Sequence, residues 1–307
     1  MYKLKLYHIL SVLLIMLFLP FWGWAQLSGK QYCESPTRIS LEQGFKAGRV
    51  GFTTSDRFTV GLLCFETPER PDMPIQKKYQ HPTWSVAGYL GPLITDEHGN
   101  LITAPAPRIN TLYNLPEKQN SIFLINSHTG VMSEVFSLPG EKKGEEQNPY
   151  GILGMTYDCD TKLLYVGTVY ESGRENEVGK IFVVKNIQTS PEIIDVLEGI
   201  DPFGICVAEI GSEKILFFGS ARKSRILAIS LTEDGRFQGS PQFVINIEGL
   251  GSRGDDKARK IQVRDNRLLV WGMPFYYNLV APSKKADTLY VFYFHPETRK
   301  WRLESAR

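Results

Sequence analysis

The chain has 307 residues, 42% of them hydrophobic, enough for one large core or two domains. Its formal net charge is +2, matched by Lys3 and Lys5 at the extreme N-terminus, so the remainder is neutral and nothing in it argues for nucleic acid or anionic lipid as the partner. Four cysteines and five histidines, with no CxxC pair, exclude a zinc site of ordinary spacing.

Residues 1–25 read as a secretory signal. Lys3 and Lys5 precede an apolar run from Ile9 to Leu19, broken only by Ser11, and Pro20 and Gly23-Trp24-Ala25 follow. The run falls short of the roughly 18–20 residues that span a bilayer, so cleavage before Gln26 is expected. The alternative is an uncleaved anchor with Trp22 and Trp24 at the interface. No later run is long enough to cross a membrane, which predicts a secreted or periplasmic protein without a membrane partner once the leader is removed. Residues 26–36 are then an N-terminal tail and 37–307 a single domain.

From residue 37 the chain alternates short apolar runs with polar turns at a strand period of two. A first, loose unit contains Thr37–Leu41, Arg49–Thr53, Phe58–Glu66 and Ile75–Tyr79. A second contains Gly91–Thr95, Leu101–Ala104, Ser121–Asn126 and Val131–Leu138. The third contains Ile152–Tyr157, Leu163–Thr168, Lys180–Lys185 and Glu192–Leu197. The fourth opens at Asp201-Pro202-Phe203-Gly204-Ile205, echoing Asn148-Pro149-Tyr150-Gly151-Ile152, and continues with Lys214–Gly219, Arg225–Leu231 and Gln242–Ile247. The fifth holds Lys260–Val263, Leu268–Gly272, Thr288–His295 and Trp301–Glu304. Second strands align as LITAP, LLYVG, ILFFG and LLVWG, starting at Leu101, Leu163, Ile215 and Leu268.

Repeated four-stranded antiparallel units without helical stretches between them predict an all-β fold, a β-propeller of five blades. Six blades is the alternative, with the tail and first unit concealing a split one. A pair of sandwiches is the rival architecture, but it predicts no repeat near fifty residues. The Pro-x-Gly-apolar openings at Pro149–Ile152 and Pro202–Ile205, followed by LLYVGT and KIFVVKN, resemble the propeller superfamily of senescence-marker/gluconolactonase, strictosidine-synthase-like and NHL-repeat proteins. The likeness spans most of residues 84–305 and concerns the fold.

Connections joining strand 1 to 2 and strand 3 to 4 share one face of a propeller; those joining strand 2 to 3 and blade to blade share the other. The first set is short here, as in DEHGN, DCDTK, GSEK and RDNR. The second includes Pro105–Asn120, Val169–Gly179 and Met273–Asp287. Long loops on a rigid scaffold carry function, so this face is the expected binding surface. Its candidates are Arg108 and Asn110; Tyr150, Glu171 and Arg174; Phe203 and Arg222; and Arg253, Asp255, Arg259, Tyr276 and Asn278. Converging arginines would suit a carboxylate, phosphate or acidic sugar. The competing reading pairs them with Glu171, Glu175 and Asp255 in salt bridges, with Tyr150 and Phe203 plugging the channel mouth.

The resemblance implies a divalent cation in the central channel and lactone hydrolysis. Calcium requires about six to eight oxygens. Tyr150 and Phe203 occupy the middle of the two Pro-x-Gly motifs, leaving Asn148 and Asp201 as the candidate ligands, and no full ligand set is visible. His98, His128 and His295 fall in the short turns, and only His81 lies near the long-loop face, which is poor ground for base catalysis. Gly249–Gly254 spells GxGxxG but precedes a strand, not the helix that a dinucleotide requires. Trp84, Trp271 and Tyr290 suit packing between blades. Cys33, Cys64, Cys159 and Cys206 allow three disulfide connectivities; Cys33–Cys64 would tie the tail to the first unit, and buried free thiols are equally compatible. The expectation is a cofactor-free propeller binding a small, anionic ligand or a protein partner through the long-loop face. A calcium- or other divalent-metal-dependent lactonase and an interaction scaffold are the alternatives.

Overall fold

The computed structural model describes residues 27–28, 33, 38–56, 58–70, 72–108, 111–141, 148–280 and 286–307. The expected leader, most of the 26–36 tail and the candidate Asn110 lie outside the described residues.

The chain opens with β1 (Leu27–Ser28) and a five-residue helix, α1 (Arg38–Glu42). Blade 1 follows as β2 (Val50–Thr53), β3 (Leu63–Glu66) and β4 (Lys78–Tyr79). Blade 2 is β5 (Leu90–Thr95), β6 (Leu101–Pro105), β7 (Ser121–Ile125) and β8 (Met132–Ser137). Blade 3 is β9 (Ile152–Asp158), β10 (Leu163–Thr168), β11 (Lys180–Lys185) and β12 (Glu192–Glu198). Blade 4 is β13 (Pro202–Ile210), β14 (Glu213–Ser220), β15 (Arg225–Leu231) and β16 (Phe237–Asn246). Blade 5 is β17 (Lys257–Arg264), β18 (Arg267–Met273), β19 (Thr288–His295) and β20 (Lys300–Ala306). All pairings are antiparallel between sequence neighbours, with β1 added to the inner edge of β13. The fold is a five-bladed β-propeller.

Blades 2, 3 and 4 pack on both faces against their neighbours, so their inner strands read as nearly continuous apolar runs. Ile102, Leu124, Leu164 and Phe182 fill the space between blades 2 and 3. Tyr165, Val183, Leu216 and Phe218 do so between blades 3 and 4, and Phe217, Val270, Tyr290 and Phe292 between blades 4 and 5. Trp84 is wholly buried between blades 1 and 2, where its indole N–H donates to the Gly130 carbonyl at 2.8 Å. Each such side chain contributes about 1.5–3 kcal/mol relative to an exposed position. The Pro-x-Gly glycines serve the same contacts: a Cβ at Gly204 would sit 2.7 Å from the Arg259 carbonyl group of the next blade.

Among the described residues no sixth blade forms. The run Thr37–Leu41, expected as a strand, lies largely in α1, whose buried Ile39 donates its N–H to the Ser127 carbonyl at 2.7 Å. The tail contributes β1 to blade 4 instead of starting a new sheet, because Leu27 finds a ready apolar site in the core between blades 4 and 5. The cysteine pairing also differs from Cys33–Cys64. Cys33 is bonded to Cys159 in the 1–2 turn of blade 3, while Cys64 and Cys206 are buried thiols.

Asn266, Cys159 and Ser127 all belong to the short turns, and each holds the N-terminal segment: Leu27 donates its N–H to Asn266 Oδ1 at 2.8 Å. Leu27, Cys33 and Ile39 are therefore fixed at the short-turn face, here the lower face. The long 2–3 loops stand on the upper face, while the 67–77 connection of blade 1 lies at the lower one.

Candidate functional site

The upper face is built around two buried carboxylates. Asp201 stands immediately before β13, and its side chain is fully buried. One oxygen accepts from Gly179 N at 3.0 Å and from the Ser172 hydroxyl; the other accepts from Arg222 Nε at 2.6 Å and from the Tyr277 hydroxyl. The Arg222 guanidinium also donates to the carbonyls of Gly173 (2.6 Å), Arg174 (2.9 Å) and Asn176, and lies over the Tyr277 ring. Burial and the neighbouring carboxylate push the Tyr277 phenol well above its ordinary range.

Asp256 occupies the matching place before β17. Arg253 donates Nε to its Oδ1 at 2.6 Å, and Tyr290 donates to Oδ2 at 2.8 Å. Burial would raise the Asp256 carboxyl, but these donors and Thr288 outweigh it and hold the group below the usual carboxylate range. Tyr290 is pushed up to about 12, by burial first and by Asp256 second. Arg253 completes its shell on the carbonyls of Ala286 and Gly272 and on Thr288 Oγ1.

Asn148 holds the same position before β9: its Nδ2 donates to the Val169 carbonyl at 2.6 Å, and its Oδ1 accepts from Tyr150 N at 2.9 Å. The oxygens of the two candidate metal ligands are thus engaged by protein donors. Among the described residues no cluster of three or more His, Cys, Asp or Glu side chains assembles for a metal. The site does not fit the divalent cation that the propeller resemblance implied.

The remaining candidates take varied positions. Arg108 stacks over Tyr89 and donates to the Thr54 carbonyl of blade 1 at 3.0 Å. Arg259 pairs with Asp287, Asp255 with Lys257, and Glu171 with Lys180 at 2.7 Å. Tyr150 and Phe203 join Phe275 and Tyr277 in an aromatic cap over blades 3 to 5, with Phe275 lying 5.0 Å from the Tyr150 ring and 5.1 Å from that of Phe203. Tyr150 also donates to the Asn278 carbonyl at 3.5 Å. Arg174, Tyr276 and Asn278 are exposed. His81 accepts from Thr83 N and caps a short 3-10 turn, a structural role.

Several exposed large apolar side chains stand on the upper loops, while Leu41 and Val131 are exposed on the lower side and Phe243 on the outer strand of blade 4. Phe58, in the blade 1 loop, is 96% exposed; Leu112, in the blade 2 loop with Tyr113 and Leu115, is 83% exposed; Tyr276 is 52% exposed and Val280 47% in the blade 5 loop. Sequence reasoning missed Asp256, Phe275 and Tyr277. The Asp256 signal was available, since Asn148, Asp201 and Asp256 recur at nearly the same interval. A groove of about 350 Å³ on the flank of blade 4, lined by Glu213, Ser230, Gln238 and Gln242, holds none of the candidates.

No protein-family model matches the chain, and no curated protein sequence matches it. Among solved structures it is similar to a protein of Bacteroides uniformis provisionally titled a 6-phosphogluconolactonase, at 12% identity over 85% of this chain and 69% of that one, with a TM-score of 0.46. It is similar to a protein of Lactobacillus plantarum at 12% identity over 91% and 81%, TM-score 0.48. It is also similar to PorZ, a surface component of the type-IX secretion system of Porphyromonas gingivalis, at 12% identity over 88% of this chain and 36% of that one, TM-score 0.43. Low identity confines these likenesses to the fold.

Proposed function

We infer that this propeller is an extracytoplasmic binding protein that engages a protein partner through its upper face. The observation that carries the reading is the set of exposed apolar side chains on the long loops, Phe58, Leu112, Tyr113, Leu115, Tyr276 and Val280, opposite the lower face to which Leu27 and Cys33 are tied. Exposed apolar surface of this kind marks interaction sites. The guanidiniums of Arg108, Arg222, Arg253 and Arg259 already serve carbonyls and carboxylates of the protein, which favours an apolar contact over an anion pocket. The Cys33–Cys159 disulfide supports an oxidising compartment.

Site-specific photo-cross-linking in the native cell envelope tests the reading. A photoreactive residue at Tyr276 or Leu112 should give a discrete protein adduct, and one at His128 or Val131 on the lower face should not. Adducts of equal yield from both faces, or none from either, refute it.

A further inference from the structure

Among the described residues blade 1 has three strands where the others have four, and the one lacking is the innermost. The chain reaches this blade from α1 on the lower face, so β2 runs upward, as second strands do in the other blades. At its upper end Thr54 Oγ1 donates to the carbonyl of Gly91, at the start of the innermost strand of blade 2. Of the corresponding strands, β6 and β10 are buried along their whole length and β14 and β18 in part, whereas every residue of β2 is half-exposed.

Register fixes what the open edge presents. Thr67 N donates to the Arg49 carbonyl, so residues 49, 51 and 53 direct their backbone groups toward β3. Val50 and Phe52 therefore turn their N–H and C=O groups toward the propeller axis. No hydrogen bond from another described residue meets them.

The neighbouring wall is the face of blade 5 turned away from blade 4. Ile261 and Val270 point into the core with blade 4, which leaves Lys260, Leu269, Trp271 and Leu289 on the opposite side. Lys260 Nζ lies 4.9 Å from the Trp271 ring centroid and has no carboxylate partner among the described residues. Desolvation, with Arg259 nearby, lowers its pKa, the mark of an uncompensated ammonium.

We propose that blade 1 is completed in trans: an extended acidic segment of a protein partner adds to β2 as the innermost strand, its carboxylate meeting Lys260. Backbone pairing with Val50 and Phe52 supplies the affinity of such strand addition, and side-chain pockets on alternate faces supply its selectivity. The proposal does not depend on the upper-face reading, since it rests on the inner edge of one blade.

Fluorescence anisotropy on the purified chain beginning at Gln26 tests it, with a labelled peptide Val-Thr-Val-Glu-Val-Thr-Val-Thr and its Glu-to-Lys counterpart as probes. The acidic peptide should bind saturably and at least tenfold tighter than the basic one. Lys260→Glu should reverse that order, and Phe52→Pro, which removes an outward N–H, should weaken the acidic peptide at least tenfold with the melting temperature checked in parallel. The charge reversal keeps the test decisive if Phe52→Pro does not fold. Absence of binding by either peptide, or equal binding of both before and after Lys260→Glu, overturns the proposal. A concentration-dependent dimer that Phe52→Pro dissolves assigns the edge to a second copy, and binding that appears only after removal of residues 26–36 assigns it to the chain's own N-terminal segment. Either result also overturns it.

Discussion

Asp201 and Arg222 form a buried ion pair across the junction of blades 3 and 4, with Oδ2 and Nε 2.6 Å apart. The pair fastens the long blade 3 loop, because the same guanidinium holds the carbonyls of Gly173 and Arg174. A carboxylate with all its acceptor positions used in this way is a fastener, and its removal leaves a part-buried guanidinium without its carboxylate. Asp201→Asn is expected to destabilise the protein by about 3–5 kcal/mol, the cost of breaking a buried pair from one side. Urea unfolding should show this as a lower midpoint at unchanged slope. A change under about 1 kcal/mol would mean that the loop is held by other contacts.

The Asp256 site makes stability depend on acid. Its carboxyl titrates lower in the folded protein than the value of about 3.9 in an unfolded chain. The unfolded state therefore binds the proton first as pH falls, and the stabilising contribution is fully present above that value. It is lost progressively as pH drops through 3.9 toward the folded pKa. Asp256→Asn should flatten the stability profile between about pH 5 and pH 2 relative to the parent protein, measured by chemical denaturation at each pH. A profile of unchanged steepness would place the acid-sensitive group elsewhere.

The fold was legible where its cause is local. LITAP, LLYVG, ILFFG and LLVWG are the second strands β6, β10, β14 and β18, because period and turn chemistry sit within a few residues of each other. Blade 1 was read less well, since its strands are short and its first run became α1. The placement of long loops on one face followed from topology alone. What those loops do with their arginines did not, for Arg222 finds Asp201 twenty-one residues away and Arg259 finds Asp287 at twenty-eight, although Arg253 finds Asp256 only three residues on. Cys33 and Cys159 are separated by 126 residues, and no spacing rule selects them over Cys33–Cys64.

Gly204 gives the Pro-x-Gly motif a steric meaning. The nearest atoms to a Cβ there are backbone atoms of Arg259 and Lys260, at 2.7–2.8 Å, and backbone does not yield as a flexible side chain does. Gly204→Ala should therefore separate blades 4 and 5 and cost about 1–3 kcal/mol, the usual range for overpacking. Gly173→Ala is the contrasting change, because its nearest neighbour is the side chain of Asn176. Thermal unfolding of the two variants should show a marked loss for the first and a small one for the second. Equal losses would remove the steric account.

The thiols offer the sharpest chemical check on the N-terminal segment. Burial pushes both Cys64 and Cys206 up to about 12, so neither is a thiolate at pH 8, and neither is open to a reagent in solution. Cys33 and Cys159 are consumed in their disulfide. Ellman's reagent should find no rapidly reacting thiol in the native protein, two after denaturation, and four after denaturation with reduction. In the chain-entropy model a loop of this length makes the crosslink worth up to about 4–5 kcal/mol, so Cys33→Ser should lower the unfolding midpoint substantially. That variant should also expose Cys159, in the 1–2 turn of blade 3, as a single fast thiol while Cys64 and Cys206 stay silent. Four thiols on denaturation without reductant, or fast labelling of the native parent protein, would show that the N-terminal segment is not bonded to blade 3.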